Sequence, residues 1–215
     1  GQDFFVAETC EYRRHFLDFH PDIILVTSVE PDHLDYYRDY ADIRDAFISY
    51  AELLPPGGAL IYCADDDGAR EVAGAVSDRR PDITRSAYGH AAEGPFGIEE
   101  VEMMPGHTRF RLRGFDRDFE VRVPGEHNVG NAAAALAAVS ALSGRVGGDP
   151  AAGRSAARSE TRPAAPPTIE AGAADRALRS FAGTRRRSEV IGEAGGVLFL
   201  DDYGHHPTAI RTTLA

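Results

Sequence analysis

The sequence predicts an α/β domain: a mostly parallel sheet flanked by helices, with a small antiparallel β-sheet insertion. Asp22–Val29 is a continuous run rich in β-branched residues, the pattern of a strand covered on both faces, and Ala59–Ala64 reads as another strand. Between them, Ile43–Leu54 repeats apolar residues at helical spacing and stops at Pro55-Pro56-Gly57-Gly58. A strand, a helix and a strand in that order imply parallel pairing through a crossover. Further on, Thr108–Arg113 and Asp118–Val123 alternate polar and apolar residues around a turn at Gly114–Asp116, which predicts a hairpin with one wet face.

Taken in order, Phe4–Glu8 is a short apolar run ending in an acid, so the chain is expected to enter directly in a strand, and Thr9–Leu17 can start a helix. The second strand is expected to close on an acidic turn, Asp65–Gly68. After the hairpin, Pro124-Gly125 delivers His127 and Asn128 to the mouth of a helix whose first two turns are almost pure alanine. Gly144–Gly172 is low in large apolar residues and reads as a flexible low-complexity loop. A helix near Asp175–Phe181, a buried strand at Val197–Leu200 and a closing helix begun by Pro207 complete the expected order.

Composition narrows the function classes. The net charge is −11, with 34 acidic residues against 23 basic ones, all of them arginine. An acidic chain disfavours non-specific nucleic-acid binding, and no nucleic-acid partner is expected. Lysine-dependent chemistry is excluded within these residues. Cys10 and Cys63 form no CxxC or His-Cys cluster, so neither a disulfide framework nor a zinc site is expected, and a reducing cytoplasm fits best. No apolar run approaches the roughly 20 residues that span a bilayer, and no membrane association is expected.

Three apolar runs finish in polar clusters: Glu8, then Asp32-His33 with Asp35, then Asp201–His206. Ligands of open parallel sheets bind outside the carboxyl ends of the strands, so these clusters are expected to line one crevice. Singly, each has a plainer explanation as a solvated turn or helix cap, and Arg185–Arg187 as a hydrated charge run. Asn128 and Asn131 fall on one helical face, where an amide can match the donor and acceptor edge of adenine; Asn128 as a simple N-cap is the alternative. Carboxylates, imidazoles and guanidinium groups beside such a helix are the parts a magnesium nucleotide needs.

Five stretches, in this order, carry a resemblance: Glu8–Leu17 (Glu-Thr-Cys-Glu-Tyr-Arg-Arg-His-Phe-Leu), Thr27–Tyr37 (Thr-Ser-Val-Glu-Pro-Asp-His-Leu-Asp-Tyr-Tyr), Pro124–Ala132 (Pro-Gly-Glu-His-Asn-Val-Gly-Asn-Ala), Phe181–Arg187 (Phe-Ala-Gly-Thr-Arg-Arg-Arg) and Asp201–Thr208 (Asp-Asp-Tyr-Gly-His-His-Pro-Thr). Together they resemble the central ATPase domain of the Mur ligases, a P-loop NTPase-like fold, over nearly the whole chain except 144–172. The resemblance implies ATP-driven amide formation with ATP and Mg2+, in peptidoglycan synthesis. The implied substrates are UDP-N-acetylmuramate and L-alanine, met through flanking domains. It also implies site roles. Glu8 and His33 would each hold a magnesium, His127, Asn128 and Asn131 would bind adenine, Arg187 would contact phosphate, and Asp202 would bind the ribose hydroxyls. His33, Arg187 and His205 would act on the reacting groups.

The family's phosphate loop belongs upstream of Phe4, so residues 1–215 are expected to be a central ATP-binding domain truncated at both ends, which does not ligate alone. The alternatives are a recycling member that attaches a tripeptide to the same sugar nucleotide, and a non-catalytic nucleotide-binding or interaction module.

Overall fold

In the computed structural model the described residues are 4–123, 125–146, 169–187 and 189–204, with 210, 211 and 213. β1 (Ile23–Val26), β2 (Ala59–Cys63) and β3 (Thr84–Gly89) pair in parallel, and β4 (Phe96–Met104) joins β3 in parallel. β5 (His107–Leu112) then pairs antiparallel with β4, and β6 (Asp118–Val121) with β5. The six strands lie in sequence order in one sheet. The antiparallel hairpin thus extends the parallel sheet through β4, whose register slips between Ile98 and Val101.

Two helical layers cover the sheet. α1 (Tyr40–Glu52) starts at Asp39, whose carboxylate accepts the Asp42 N–H at 2.9 Å. The expected acidic turn at Asp65–Gly68 is the start of a further helix, α2 (Asp67–Arg79), capped by Asp66. Both helices pack with Ile24, Val26 and Leu60 on one face. α3 (His127–Val146) packs Val129, Ala133 and Leu136 against Ile61, Ile98 and Phe110 on the other. Leu60 and Ile61 are both 0% exposed and face opposite layers, as expected of a doubly covered strand.

That expectation fails for β1. It is an edge strand of four residues, and Leu25 is 38% exposed although Ile23, on the same face, still packs against the α3 side of the core. Phe4–Glu8 forms no strand either. It is exposed and irregular, with no sheet partner among the described residues.

α4 (Ala171–Ser180) carries the expected late helix, starting earlier because Glu170 accepts the Gly172 N–H at 2.7 Å and the Ala173 N–H. Gly144–Val146 close α3 and Ala171–Gly172 open α4, so the ends of the expected loop are helical; 147–168 lies outside the described residues. β7 (Glu189–Ala194) and β8 (Val197–Asp201) form a separate antiparallel ribbon, turned by Gly195 and Gly196 at φ +59° and +77°. The run Val197–Leu200, expected to be buried, is exposed on both faces, since no layer covers this two-stranded ribbon among the described residues. Pro207 and the start of the expected closing helix lie outside the described residues.

Candidate functional site

Two groups of polar side chains form around the sheet. The first lies where the chain leaves β1. Residues 12–18 make a 3-10 segment kinked by Arg13 and Arg14, both in the left-handed region at φ 53° and 60°. Phe16 anchors it in the core, stacked on Tyr50 at 4.6 Å between centroids, and Arg14 reaches Asp42 at 2.5 Å. This geometry presents Glu11 to the segment after β1.

There His33 also adopts a left-handed backbone, φ 52°, a conformation costly for a residue with a Cβ. It is held by neighbours on both sides. Asp32 Oδ1 accepts the His33 N–H at 2.6 Å, and the His33 carbonyl accepts from the N–H groups of Tyr36 and Tyr37 at 2.9 Å each. Buried Tyr37 donates its hydroxyl to the Glu11 carbonyl, and burial raises its pKa above the usual phenol value. As a result His33 Nε2 lies 3.1 Å from Glu11 Oε1 and 3.8 Å from Asp32 Oδ2. Strain in three residues around one polar cluster marks the place where the fold spends stability on geometry.

Glu11, Asp32 and His33 can each offer one ligand atom, and these atoms lie within 4.8 Å of one another. Two carboxylates and one imidazole suit a divalent cation, with oxygen donors favouring magnesium or manganese. Glu8 is exposed and stands outside this trio. Asp35 instead accepts from Tyr12 at 3.0 Å, and the Tyr12 ring stands 4.8 Å from the imidazole.

The second group opens α3. The Asn128 amide lies 3.1 Å from His127 Nε2, and Asn131 Nδ2 donates to Asn128 Oδ1 at 3.2 Å, so the two asparagines do share a face. Asn128 sits inside the first turn, not at the cap. Both asparagines border a cavity of about 640 Å³ between β6, α3 and α4, whose wall includes Val121, Ala132, Leu136, Leu178 and Phe181. Its volume, its apolar wall and its two amides match what a flat heteroaromatic ring needs.

Asp202 follows β8, accepts the Gly204 N–H at 2.7 Å, and its charge acts on His127. Burial nevertheless keeps the His127 pKa below the ordinary imidazole value, with Asp202 opposing it. In the arginine triplet, Arg186 is engaged by Asp201 at 3.7 Å and by the Tyr203 ring at 4.8 Å, whereas the Arg187 side chain is exposed. His205 lies outside the described residues. The structure therefore unites His33 with Glu11 and Asp32, and His127 with Asn128, Asn131 and Asp202, in two separate clusters. Glu11 went unassigned in the sequence. The Glu-x-x-Glu repeat at Glu8 and Glu11 is a signal, but only the left-handed kink reveals which glutamate meets His33.

Residues 1–139 match the Mur ligase middle domain. The chain belongs to the Mur ligase family. It is 46% identical over all 215 residues to the UDP-N-acetylmuramate–L-alanine ligase of Treponema pallidum (strain Nichols), and 39% identical over 218 aligned positions to that of Arthrobacter sp. (strain FB24). The chain spans 41% and 40% of the length of these two relatives and 100% and 99% of itself is aligned. Among solved structures it resembles MurF from Acinetobacter baumannii (TM-score 0.66, 21% identity, 90% of this chain and 36% of that one). It also resembles an FPGS–AMPPCP complex (TM-score 0.65, 15% identity, 90% and 41%). At these identities the structural likeness speaks for the fold, and the Mur ligase central-domain architecture is the one expected from the motifs. No helix among the described residues is long and apolar enough to cross a membrane.

Proposed function

We propose that this chain is the nucleotide- and metal-handling part of an ATP-dependent ligase that joins L-alanine to UDP-N-acetylmuramate in peptidoglycan synthesis. The observation that carries the reading is the 46% identity, over every residue of the chain, to relatives of that activity. The two side-chain clusters support it.

In this reading the substrate carboxylate attacks the γ-phosphorus of ATP, an O–P bond forms and ADP leaves. The amine of L-alanine then attacks the acyl carbon, the C–O bond to phosphate breaks, and the amine loses a proton as the amide forms. Such transfers depend on positioning and on charge stabilisation more than on covalent help from the protein. Magnesium, when bound, neutralises charge on the transferring phosphoryl group. Glu11 and Asp32 fit such an ion and hold His33 in place; Glu8, exposed just upstream, is assigned a second ion by its motif alone. Asn128 and Asn131 read the adenine edge against the apolar cavity, and Asp202 accepts from the ribose hydroxyls. Arg187 is free of carboxylate partners among the described residues and contacts phosphate. The role of His205, facing the carboxylate and amine, rests on the motif. A cytoplasmic setting is part of the reading, in keeping with two free cysteines.

Phosphate release by the full-length protein, with ATP, Mg2+ and UDP-N-acetylmuramate, tests this. Release is expected with L-alanine. Release with a tripeptide alone assigns the recycling reaction instead. Binding of magnesium-ATP with no release in either case supports the non-catalytic module.

A further inference from the structure

The turn before α3 brings its backbone against an imidazole. Gly125 has φ +93°, and a Cβ on it would fall 2.5 Å from His127 Cε1 and 2.7 Å from Nδ1. The ring is therefore clamped, and its Nδ1 is buried with no hydrogen-bond partner among the described residues. Burial favours the neutral imidazole, in which one nitrogen carries a proton and the other a lone pair.

The neighbouring amides give this row a direction. Asn131 donates through Nδ2 to Asn128 Oδ1, and Asn128 presents its own Nδ2 to His127 Nε2. A donor facing Nε2 requires the lone pair there and the proton on Nδ1. Reversing the row requires both amides to turn over and the proton to move to Nε2. The two directions differ in what Asn128 shows to a base, because turning an amide exchanges its acceptor and its donors.

We infer that His127 is a positioning residue: its Nδ1-protonated imidazole accepts from Asn128 and sets which end of that amide faces the base. This rests on the reading of Asn128 as the adenine-binding residue. Adenine offers an N6 donor beside an N7 acceptor, and an amide in the opposite sense meets donor with donor. Protonated His127 has an N–H on each nitrogen and can no longer accept, so it drives Asn128 to turn. Two other charged features bear on this end of α3: Asp202, which favours the protonated ring, and Glu126, engaged by His90 of the β3–β4 connection at 3.3 Å. Recognition of adenine should therefore weaken as pH falls, while an inosine nucleotide, whose O6 accepts, should gain relative to it.

Two measurements test the inference. In 15N-histidine-labelled chain, with the His127→Gln spectrum as the assignment control, the His127 resonances should show the Nδ1-protonated tautomer at pH 7.5. The Nε2-protonated tautomer overturns the inference, whatever the protein binds. In calorimetry of the full-length protein with ATP and ITP, His127→Ala should cut the preference for ATP about tenfold, the scale of one bidentate base contact. His127→Gln, whose amide oxygen can accept from Asn128, should restore the preference and abolish its pH dependence. An unchanged preference in His127→Ala overturns the inference. If Asn128→Ala alone leaves the preference intact, the base-reading assignment fails, and the tautomer result still stands on its own.

Discussion

Asp66 ties Val29 to the start of α2: one carboxylate oxygen accepts the Ala69 N–H at 2.7 Å and the Val29 N–H at 3.0 Å. At Gly68 the approach is so close that a Cβ would stand 2.3 Å from the Val29 carbonyl oxygen. This tether fixes the path from β1 to His33. Asp66→Ala removes a cap and strands a second donor, so it should destabilise the domain by about 2 kcal/mol. Urea unfolding measures it, and a change under about 0.5 kcal/mol, the scatter of surface substitutions, would deny Asp66 this role.

Metal binding should depend on the trio and not on its surroundings. Manganese titration followed by electron paramagnetic resonance should show affinity lowered at least tenfold by Glu11→Gln and by His33→Ala. Asp35→Asn, which touches only Tyr12 among the described contacts, should leave it nearly unchanged. Equal losses at all three positions would point to general electrostatics and not to coordination.

If the full-length protein has the proposed activity, His33→Ala should depress kcat far more than it raises the KM for ATP, because its proposed metal acts on the transferring group. Asn128→Ala should mainly raise that KM. Exchanged phenotypes would reverse the assigned roles.

The half-buried imidazole of His127 gives a pH dependence of stability with a definite sign. Its folded pKa lies below the unfolded value near 6.5, so between the two the unfolded chain binds more protons and stability falls as pH drops. His127→Gln should flatten the difference in unfolding free energy between pH 7.5 and pH 5.5. A steeper slope in the variant would mean the shift runs the other way.

The stretch 147–168 carries almost no large apolar side chains, and joining Val146 to Ile169 by a short glycine-serine linker should leave the melting temperature nearly unchanged. Ile169 and Glu170 must be kept, since both line the cavity.

Elements whose burial comes from their own sequence period were legible: β2, α1, the β5–β6 hairpin and the alanine face of α3. α2 escaped notice because Ala69, Val72, Ala73 and Val76 form a thin stripe broken by Gly68 and Gly74, with little apolar area to signal it. The run Val197–Leu200 announces a strand, yet its composition cannot say whether anything covers it. At the site, His33, Asn128 and Asn131 stand out by motif and spacing. Glu11 does not, because its meeting with His33 across 22 residues depends on two arginines in a conformation no local pattern predicts. Gly125 is legible as a turn residue, but its contact with the His127 ring is a tertiary fact.

α4 is joined to the sheet by a hydrogen bond between residues 55 apart in the chain. Asp175, buried, accepts the Glu120 N–H at 3.1 Å across 55 residues and binds Arg179 at 2.9 Å and Arg117 at 3.3 Å, while Arg179 also reaches Glu120. Closing so long a loop costs entropy, which these polar contacts and the packing of α4 on β6 offset. Docking of α4 is therefore expected late in folding, and its release is expected to cost less than opening the sheet. Such a release would uncover the cavity wall on α3 and leave the six strands paired. Hydrogen exchange should then find the amides of 174–180 opening together, at a free energy well below that of β2, with Asp175→Ala accelerating them selectively.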